Sequence, residues 1–95
     1  MSSGVARPIP KWDEIGLPDS DSREAANFAV NRPNDTLAVT TLLRAWNQIL
    51  APEFGKIYAL SFQGSRPNEA ELFYQAFVLK KSNGEKQLLS IKSYN

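Results

Sequence analysis

The feature that most constrains the fold is a pair of apolar segments, residues 48–51 and 55–60, separated by only three residues. Within residues 56–63 the side chains alternate between two faces, which is the period of a β-strand. One face carries Tyr58, Leu60 and Phe62, and the other carries Ile57, Ala59 and Ser61. The pair therefore predicts two neighbouring strands joined by a short loop.

A short helix is predicted upstream of these strands. Asp21 is placed to cap its first turn, and Glu24 follows at the spacing of a capping box. Three apolar residues then share one face at helical spacing: Ala25, Phe28 and Ala29. Pro33 ends the helix after roughly three turns, because its ring clashes with the preceding turn.

Residues 37–50 carry two competing patterns. A strand is supported by alternation of apolar residues and by the β-branched run Val39, Thr40 and Thr41. A helix is supported by apolar residues at helical spacing, which are Leu42, Leu43, Trp46, Ile49 and Leu50. Periodicity alone leaves both open, and the β-branched residues favour the strand.

The rest of the chain is rich in β-strand signals. Residues 72–80 and 87–94 are strand-like, and Asn83-Gly84 between them is a strong hairpin signal. Near the start, Trp12 and Ile15 form either a short strand or a cover over the core. One helix followed by successive antiparallel strands predicts an α+β fold, with the helix packed across a curved four- to five-stranded antiparallel sheet.

The chain divides into an arm and one domain. Residues 1–10 contain Gly4 and two prolines among small residues, which predicts an extended N-terminal trunk. Residues 11–95 predict a single domain with one core. The trunk lacks the apolar core of a signal peptide, so we expect a cytoplasmic protein as written; a secreted mature domain given a new Met1 would look the same.

Two residue types are missing altogether, since the chain has no cysteine and no histidine. This excludes disulfides, thiol nucleophiles, Cys/His zinc sites and histidine-based catalytic triads. We therefore expect no enzyme activity, no metal and no cofactor. The net charge of +1 gives no general attraction to nucleic acid or to anionic membranes, and neither is expected as a partner.

The order and spacing of these segments resemble the cystatins, and the plant cystatins most of all. The helix segment Phe28-Ala29-Val30, followed by Asn34, is similar to that family's Phe-Ala-Val signature. The strand motif Gly-x-x-Tyr-x-Leu-x-Leu is matched by Gly55, Tyr58, Leu60 and Phe62. Two later motifs are matched by residues 74–78, Tyr-Gln-Ala-Phe-Val, and residues 88–92, Leu-Leu-Ser-Ile-Lys. The resemblance implies the cystatin fold and makes residues 37–50 a strand.

The resemblance also implies a function, the reversible inhibition of papain-like cysteine proteases, as in the thiol protease inhibitors of plant defence. In that family a trunk, a first loop and a second loop form a wedge that fills the protease cleft. The matching trunk residues here are Gly4 and Val5, and the matching second-loop residues are Ser82 and Asn83. The first-loop residues are Gln48, Ile49, Leu50, Ala51, Pro52, Glu53, Phe54 and Gly55.

All three pieces depart from the family pattern. Val5 stands where a second glycine is common, and Ser82-Asn83 stands where the family has Pro-Trp. The family's first loop, Gln-x-Val-x-Gly, is interrupted here by the insertion Pro52-Glu53-Phe54. An exposed tryptophan is a natural interface anchor, and this chain lacks the one in the family's second loop. We therefore expect weak or selective inhibition. We also expect excision of the insertion to strengthen inhibition.

Several alternatives stay open. Phe54 either enters a pocket of the partner or folds back over the sheet edge beside Trp46 or Tyr58. The alternative function is a non-inhibitory cystatin-fold protein that recognises another protein partner through the enlarged first loop. We expect a monomer, because the longer loop relaxes hinge strain, with a domain-swapped dimer as the other state.

Overall fold

The computed structural model describes residues 11–94, so the predicted trunk with Gly4 and Val5 lies outside the described residues. The elements are β1 (Asp13–Ile15), α1 (Ser20–Val30), β2 (Ala38–Ile49), β3 (Lys56–Ser65), β4 (Leu72–Lys80) and β5 (Lys86–Tyr94). The strands form one antiparallel sheet in the order β1-β2-β3-β4-β5, and α1 packs against it. The predicted α+β arrangement is confirmed, with five strands.

The helix begins at Ser20, and its cap is Asp19 rather than the predicted Asp21. The Asp19 carboxylate accepts hydrogen bonds from the backbone N–H and the hydroxyl of Ser22, at 2.9 and 2.7 Å. These bonds hold the pKa of Asp19 below its usual range. Ser22 is fully buried, so packing holds in place the residue that bonds to the Asp19 cap. Asp21 is instead exposed in the first turn, and the Lys80 ammonium lies 4.0 Å from its carboxylate.

The helix meets the sheet through small side chains. Ala25, Ala26 and Ala29 are fully buried, which allows the helix backbone to approach the strands closely. Opposite them lie the buried side chains of β3 and β4: Tyr58, Leu60, Phe62, Tyr74, Ala76 and Val78. The stacked rings of Phe62 and Tyr74 lie 5.6 Å apart, and burying each large apolar side chain contributes about 1.5–3 kcal/mol. The alternation predicted for β3 is confirmed.

The second strand, β2, resolves the ambiguous segment as a strand with two irregularities. Its pairing with β3 skips Thr40 and Leu43, each a β-bulge that adds one residue to the strand. The β2 residues paired with the inward-facing residues of β3 are Val39, Leu42, Ala45 and Asn47, opposite Gly64, Phe62, Leu60 and Tyr58. Across each bulge the spacing is three residues instead of two, so the alternation expected of a strand is broken in this segment.

The short strand β1 lies at the edge of the sheet, beside the last third of β2. Asp13 pairs with Asn47 and Ile15 with Ala45, so moving back along β1 leads towards the β2–β3 loop. Bonds of 3.0 and 2.9 Å from the Arg44 guanidinium to the Glu14 carboxylate tie the two strands together. Of the two alternatives given for Trp12 and Ile15, a short strand is found, and it runs over Asp13–Ile15.

An ionic cluster fastens the opposite end of the sheet. The Asp35 carboxylate accepts bonds from the Arg66 guanidinium at 2.8 and 3.1 Å, and from Arg32 at 2.7 Å. It also accepts the backbone N–H of Leu37 at 3.0 Å. The Arg66 guanidinium, followed by the Leu37 amide, holds the pKa of Asp35 well below its usual range. The cluster ties the start of β2 to the segment after β3.

Candidate protein-binding edge

Two loops lie side by side at one end of the sheet. The first loop, residues 50–55, joins β2 to β3, and the second loop, residues 81–85, joins β4 to β5. They are neighbours because Lys56 at the start of β3 pairs with Lys80 at the end of β4. We call this end, residues 49–55 and 81–85, the loop edge.

The first loop is closed by its own backbone. The N–H of Leu50 donates to the carbonyl oxygen of Gly55 at 3.0 Å. Inside that bond, the carbonyl oxygen of Ala51 accepts from the N–H groups of Phe54 and Gly55, at 2.8 and 3.3 Å. The insertion Pro52-Glu53-Phe54 therefore forms one compact turn, with Pro52 at the position where its fixed φ suits a turn.

Gly55 fixes the contact between this loop and β4. Its φ of +95° is one that residues with a side chain rarely adopt. A Cβ at this position would also overlap the carbonyl oxygen of Lys80 and lie 2.9 Å from the Cα of Lys81. Gly55 therefore has a structural role in bringing the two loops together.

The second loop is a hairpin turn, as Asn83-Gly84 predicted. The N–H of Lys81 donates to the carbonyl of Glu85 at 2.7 Å, and Gly84 donates to the carbonyl of Lys81 at 2.9 Å. The Asn83 side chain accepts the Glu85 backbone N–H and donates to the Glu85 carboxylate, both at 2.9 Å. The polar side chain of Asn83 therefore stabilises the hairpin turn of the second loop.

A direct contact joins the loops. The hydroxyl of Ser82 donates to the carbonyl oxygen of Glu53 at 3.1 Å. A groove of about 370 Å³ lies between the loops, lined by Leu50, Glu53, Phe54, Leu79, Lys81, Ser82 and Asn83. Leu79 was not among the predicted site residues. It lies near the end of the strand-like residues 72–80, shortly before the Asn83-Gly84 hairpin signal, and this position in the sequence is what could have placed it at this end. In the structure it pairs with Ile57.

The loop edge displays the two most exposed large apolar side chains in the described part of the chain. Ile49 is 69% exposed and Phe54 is 60% exposed. Phe54 borders the groove beside the second loop, and no ring contact joins it to Trp46 or Tyr58 within residues 11–94. Phe54 therefore does not stack on Trp46 or Tyr58, and the entry of its ring into a pocket of a partner stays a prediction.

The remaining predicted residues fall into two groups. Gln48 lies in β2 opposite Ile57 and is half-buried, so it flanks the first loop without belonging to its turn. Ala51, Pro52 and Glu53 are exposed in the turn itself. The structure thus brings the first-loop and second-loop residues together, while Gly4 and Val5 lie outside the described residues.

The arrangement suits binding through shape and apolar contact. In residues 11–94 no cluster of three or more acidic side chains is placed to hold a metal ion. The single described helix, α1, is neither long nor apolar enough to span a bilayer.

Comparison of the chain with protein-family models, with curated proteins and with solved structures gives no match.

Proposed function

We propose that this chain has the cystatin fold and acts as a reversible, wedge-type inhibitor of papain-like cysteine proteases. The element order, one helix followed by four long antiparallel strands, supports the fold, as do the family-like motifs on α1, β3, β4 and β5. The observation that carries the function is the loop edge, where the bond between Ser82 and Glu53 joins two loops into one projecting surface with apolar side chains exposed.

Inhibition of this kind requires shape and no catalytic group. The loop edge enters the protease cleft and blocks it, while no scissile peptide bond reaches the protease nucleophile. Affinity comes from buried apolar area and backbone contacts, and a preorganised loop loses little conformational entropy on binding. The hydrogen bonds inside the first loop, from Leu50 to Gly55 and from Phe54 to Ala51, supply this preorganisation. The trunk residues Gly4 and Val5 add the third contact.

The same edge supports weak or selective inhibition. The second loop offers Ser82 and Asn83 to a partner, and both are polar. The insertion makes the first loop broader than the family's narrow Gln-x-Val-x-Gly turn. Proteases with a wider cleft are therefore the better targets.

The test is titration of papain with the purified protein at up to micromolar concentration. We expect reversible inhibition that Ile49→Asp abolishes, because the charge would be desolvated in the cleft. Leu89→Asp is the matched control: Leu89 is also exposed, at 44%, but belongs to β5 and to neither loop. No inhibition by a folded sample, or equal loss in both variants, would reject the proposal.

The second candidate is a non-inhibitory cystatin-fold protein that recognises another protein through the first loop. The observation in its favour is the exposed Phe54 in an insertion that the family's loop lacks. This candidate predicts one non-protease partner whose binding is lost in Phe54→Ala, together with no effect on papain. Papain inhibition by the wild-type protein would reject it.

A further inference from the structure

The insertion in the first loop leans on the second loop. Its three residues form one turn closed on Ala51, and the Glu53 carbonyl in the middle of that turn accepts the Ser82 hydroxyl at 3.1 Å. The residue after Glu53 is Phe54, which borders the groove with Leu79 of β4. The first loop therefore delivers an aromatic ring to the flank of the second loop.

The second loop itself carries no apolar side chain. The residues between Lys80 and Lys86 are Lys81, Ser82, Asn83, Gly84 and Glu85. The resemblance places the aromatic of the family's wedge at Asn83, which here is committed to polar bonds with Glu85. Among residues 11–94, the aromatic residue that lines the groove beside this loop is Phe54, which comes from the other loop.

Phe54 is exposed and yet held in place. With 60% of its surface accessible, the ring adds little to the core. Its backbone is fixed by the bond of its own N–H to Ala51 and by the bond on the preceding residue, Glu53. A large apolar side chain on a preorganised backbone is the type of residue that dominates binding energy at protein interfaces.

We propose that Phe54 is the specificity-determining anchor of the loop edge and takes over the role of the missing second-loop tryptophan. Its counterpart is an apolar subsite on the protease, at the side of the cleft that the second loop faces. Ser82 is a positioning residue that holds the turn through the Glu53 carbonyl. The proposal rests on the proposed inhibitory function.

The main experiment compares inhibition constants and dissociation rates for papain among matched variants. Phe54→Ala should weaken inhibition by about tenfold or more while the melting temperature stays within a few degrees. Phe73→Ala is the control, because Phe73 is 45% exposed but lies at the other end of β4. It should leave inhibition unchanged.

A rescue separates an anchor from a general contact. Adding Ser82→Pro and Asn83→Trp to Phe54→Ala restores an aromatic to the second loop and should recover most of the lost inhibition. For the positioning role, Ser82→Ala should raise the dissociation rate with little change in the association rate, and Ser82→Thr, which keeps the hydroxyl, should resemble wild type.

The outcomes are distinguishable. Inhibition by wild type that Phe54→Ala leaves unchanged overturns the anchor and leaves the inhibitory function standing. Phe54→Ala is tested against its rescue in the same assay: if inhibition is weakened by Phe54→Ala and is not recovered by adding Ser82→Pro and Asn83→Trp, the claim that Phe54 replaces the second-loop tryptophan is overturned. A folded wild-type protein without inhibition overturns the proposed function and this inference together.

Discussion

Gly55 and Lys80 touch so closely that a Cβ on Gly55 would overlap the carbonyl oxygen of Lys80. This contact, between residues that are distant in sequence, holds the first loop against the end of β4. Ser82 lies two residues beyond Lys80. The contact between Gly55 and Lys80 therefore also brings the Ser82 hydroxyl within hydrogen-bond distance of the Glu53 carbonyl oxygen. The loop edge thus depends on a glycine that makes no side-chain contact itself.

Gly55→Ala should destabilise the protein more than Gly84→Ala does. The two glycines have nearly equal φ values, +95° and +93°, so each substitution costs about 1–2 kcal/mol in backbone strain. A Cβ on Gly84 meets open space, whereas a Cβ on Gly55 meets backbone, which should cost about 1–3 kcal/mol more. Urea unfolding of both variants measures the difference, and equal destabilisation would contradict the close contact.

Asp19→Ala should lower the free energy of unfolding by about 1 kcal/mol, the usual cost of losing a helix N-cap. Asp21→Ala should cost less, because Asp21 is exposed and its ion pair with Lys80 is long, at 4.0 Å. Thermal unfolding distinguishes them, with an expected shift of roughly 4–8 °C for Asp19→Ala. The reverse order would restore the cap predicted from sequence.

Asp35→Asn should flatten the acid side of the stability profile. The pKa of Asp35 is lowered in the folded state, so its stabilising contribution is fully present above the ordinary value of 3.8 and is lost as pH falls below it. The free energy of unfolding of the variant should be lower at neutral pH and should fall less on acidification. The slope of that free energy against pH should be smaller by up to about one bound proton. Denaturant unfolding at a series of pH values tests this.

The double variant with Arg66→Gln is the control for that profile. If the Arg66 guanidinium is the main cause of the lowered pKa, as its bonds of 2.8 and 3.1 Å indicate, the two substitutions should not be additive. Additive losses, or an unchanged acid slope in Asp35→Asn, would assign the acid sensitivity to other carboxylates.

Excision of Pro52-Glu53-Phe54 should weaken papain inhibition when made alone. The sequence by itself predicts the opposite, because excision restores the family's loop spacing as Gln-Ile-Leu-Ala-Gly. In the structure the excised residues include the exposed ring and the carbonyl that Ser82 binds. Excision combined with Ser82→Pro and Asn83→Trp should then inhibit better than excision alone. The same papain titration measures both, and strengthening by excision alone would argue against an anchor at Phe54.

How far the sequence predicts this fold depends on whether local pattern and tertiary packing agree. β3 was predictable because its side chains alternate without interruption and its inward face is buried from Tyr58 to Gly64. β2 was ambiguous because the bulges at Thr40 and Leu43 each shift the alternation by one residue. A bulge is decided by pairing with the neighbouring strand, which a local pattern does not contain.

The helix cap was predicted wrongly, and the contact between the two loops was not predicted, for a related reason. Several residues between Asp19 and Ser22 are chemically able to cap, and the choice depends on which side chain is buried. The positions of the two loops were implied by the resemblance, but the bond from Ser82 to Glu53 joins residues 29 apart. It exists only because β3 pairs with β4 in a register that the sequence does not reveal.

The bulges of β2 have one more consequence, for how the protein behaves at high concentration. In the described part of the chain, β1 covers only Ala45, Trp46 and Asn47 on the outer edge of β2, while residues 36–43 are uncharged and rich in β-branched side chains. A flat, uncharged edge of this composition is a template for fibril growth. Kinked at Thr40 and Leu43, the strand presents an uneven row of backbone groups, and the fold thereby limits its own tendency to aggregate.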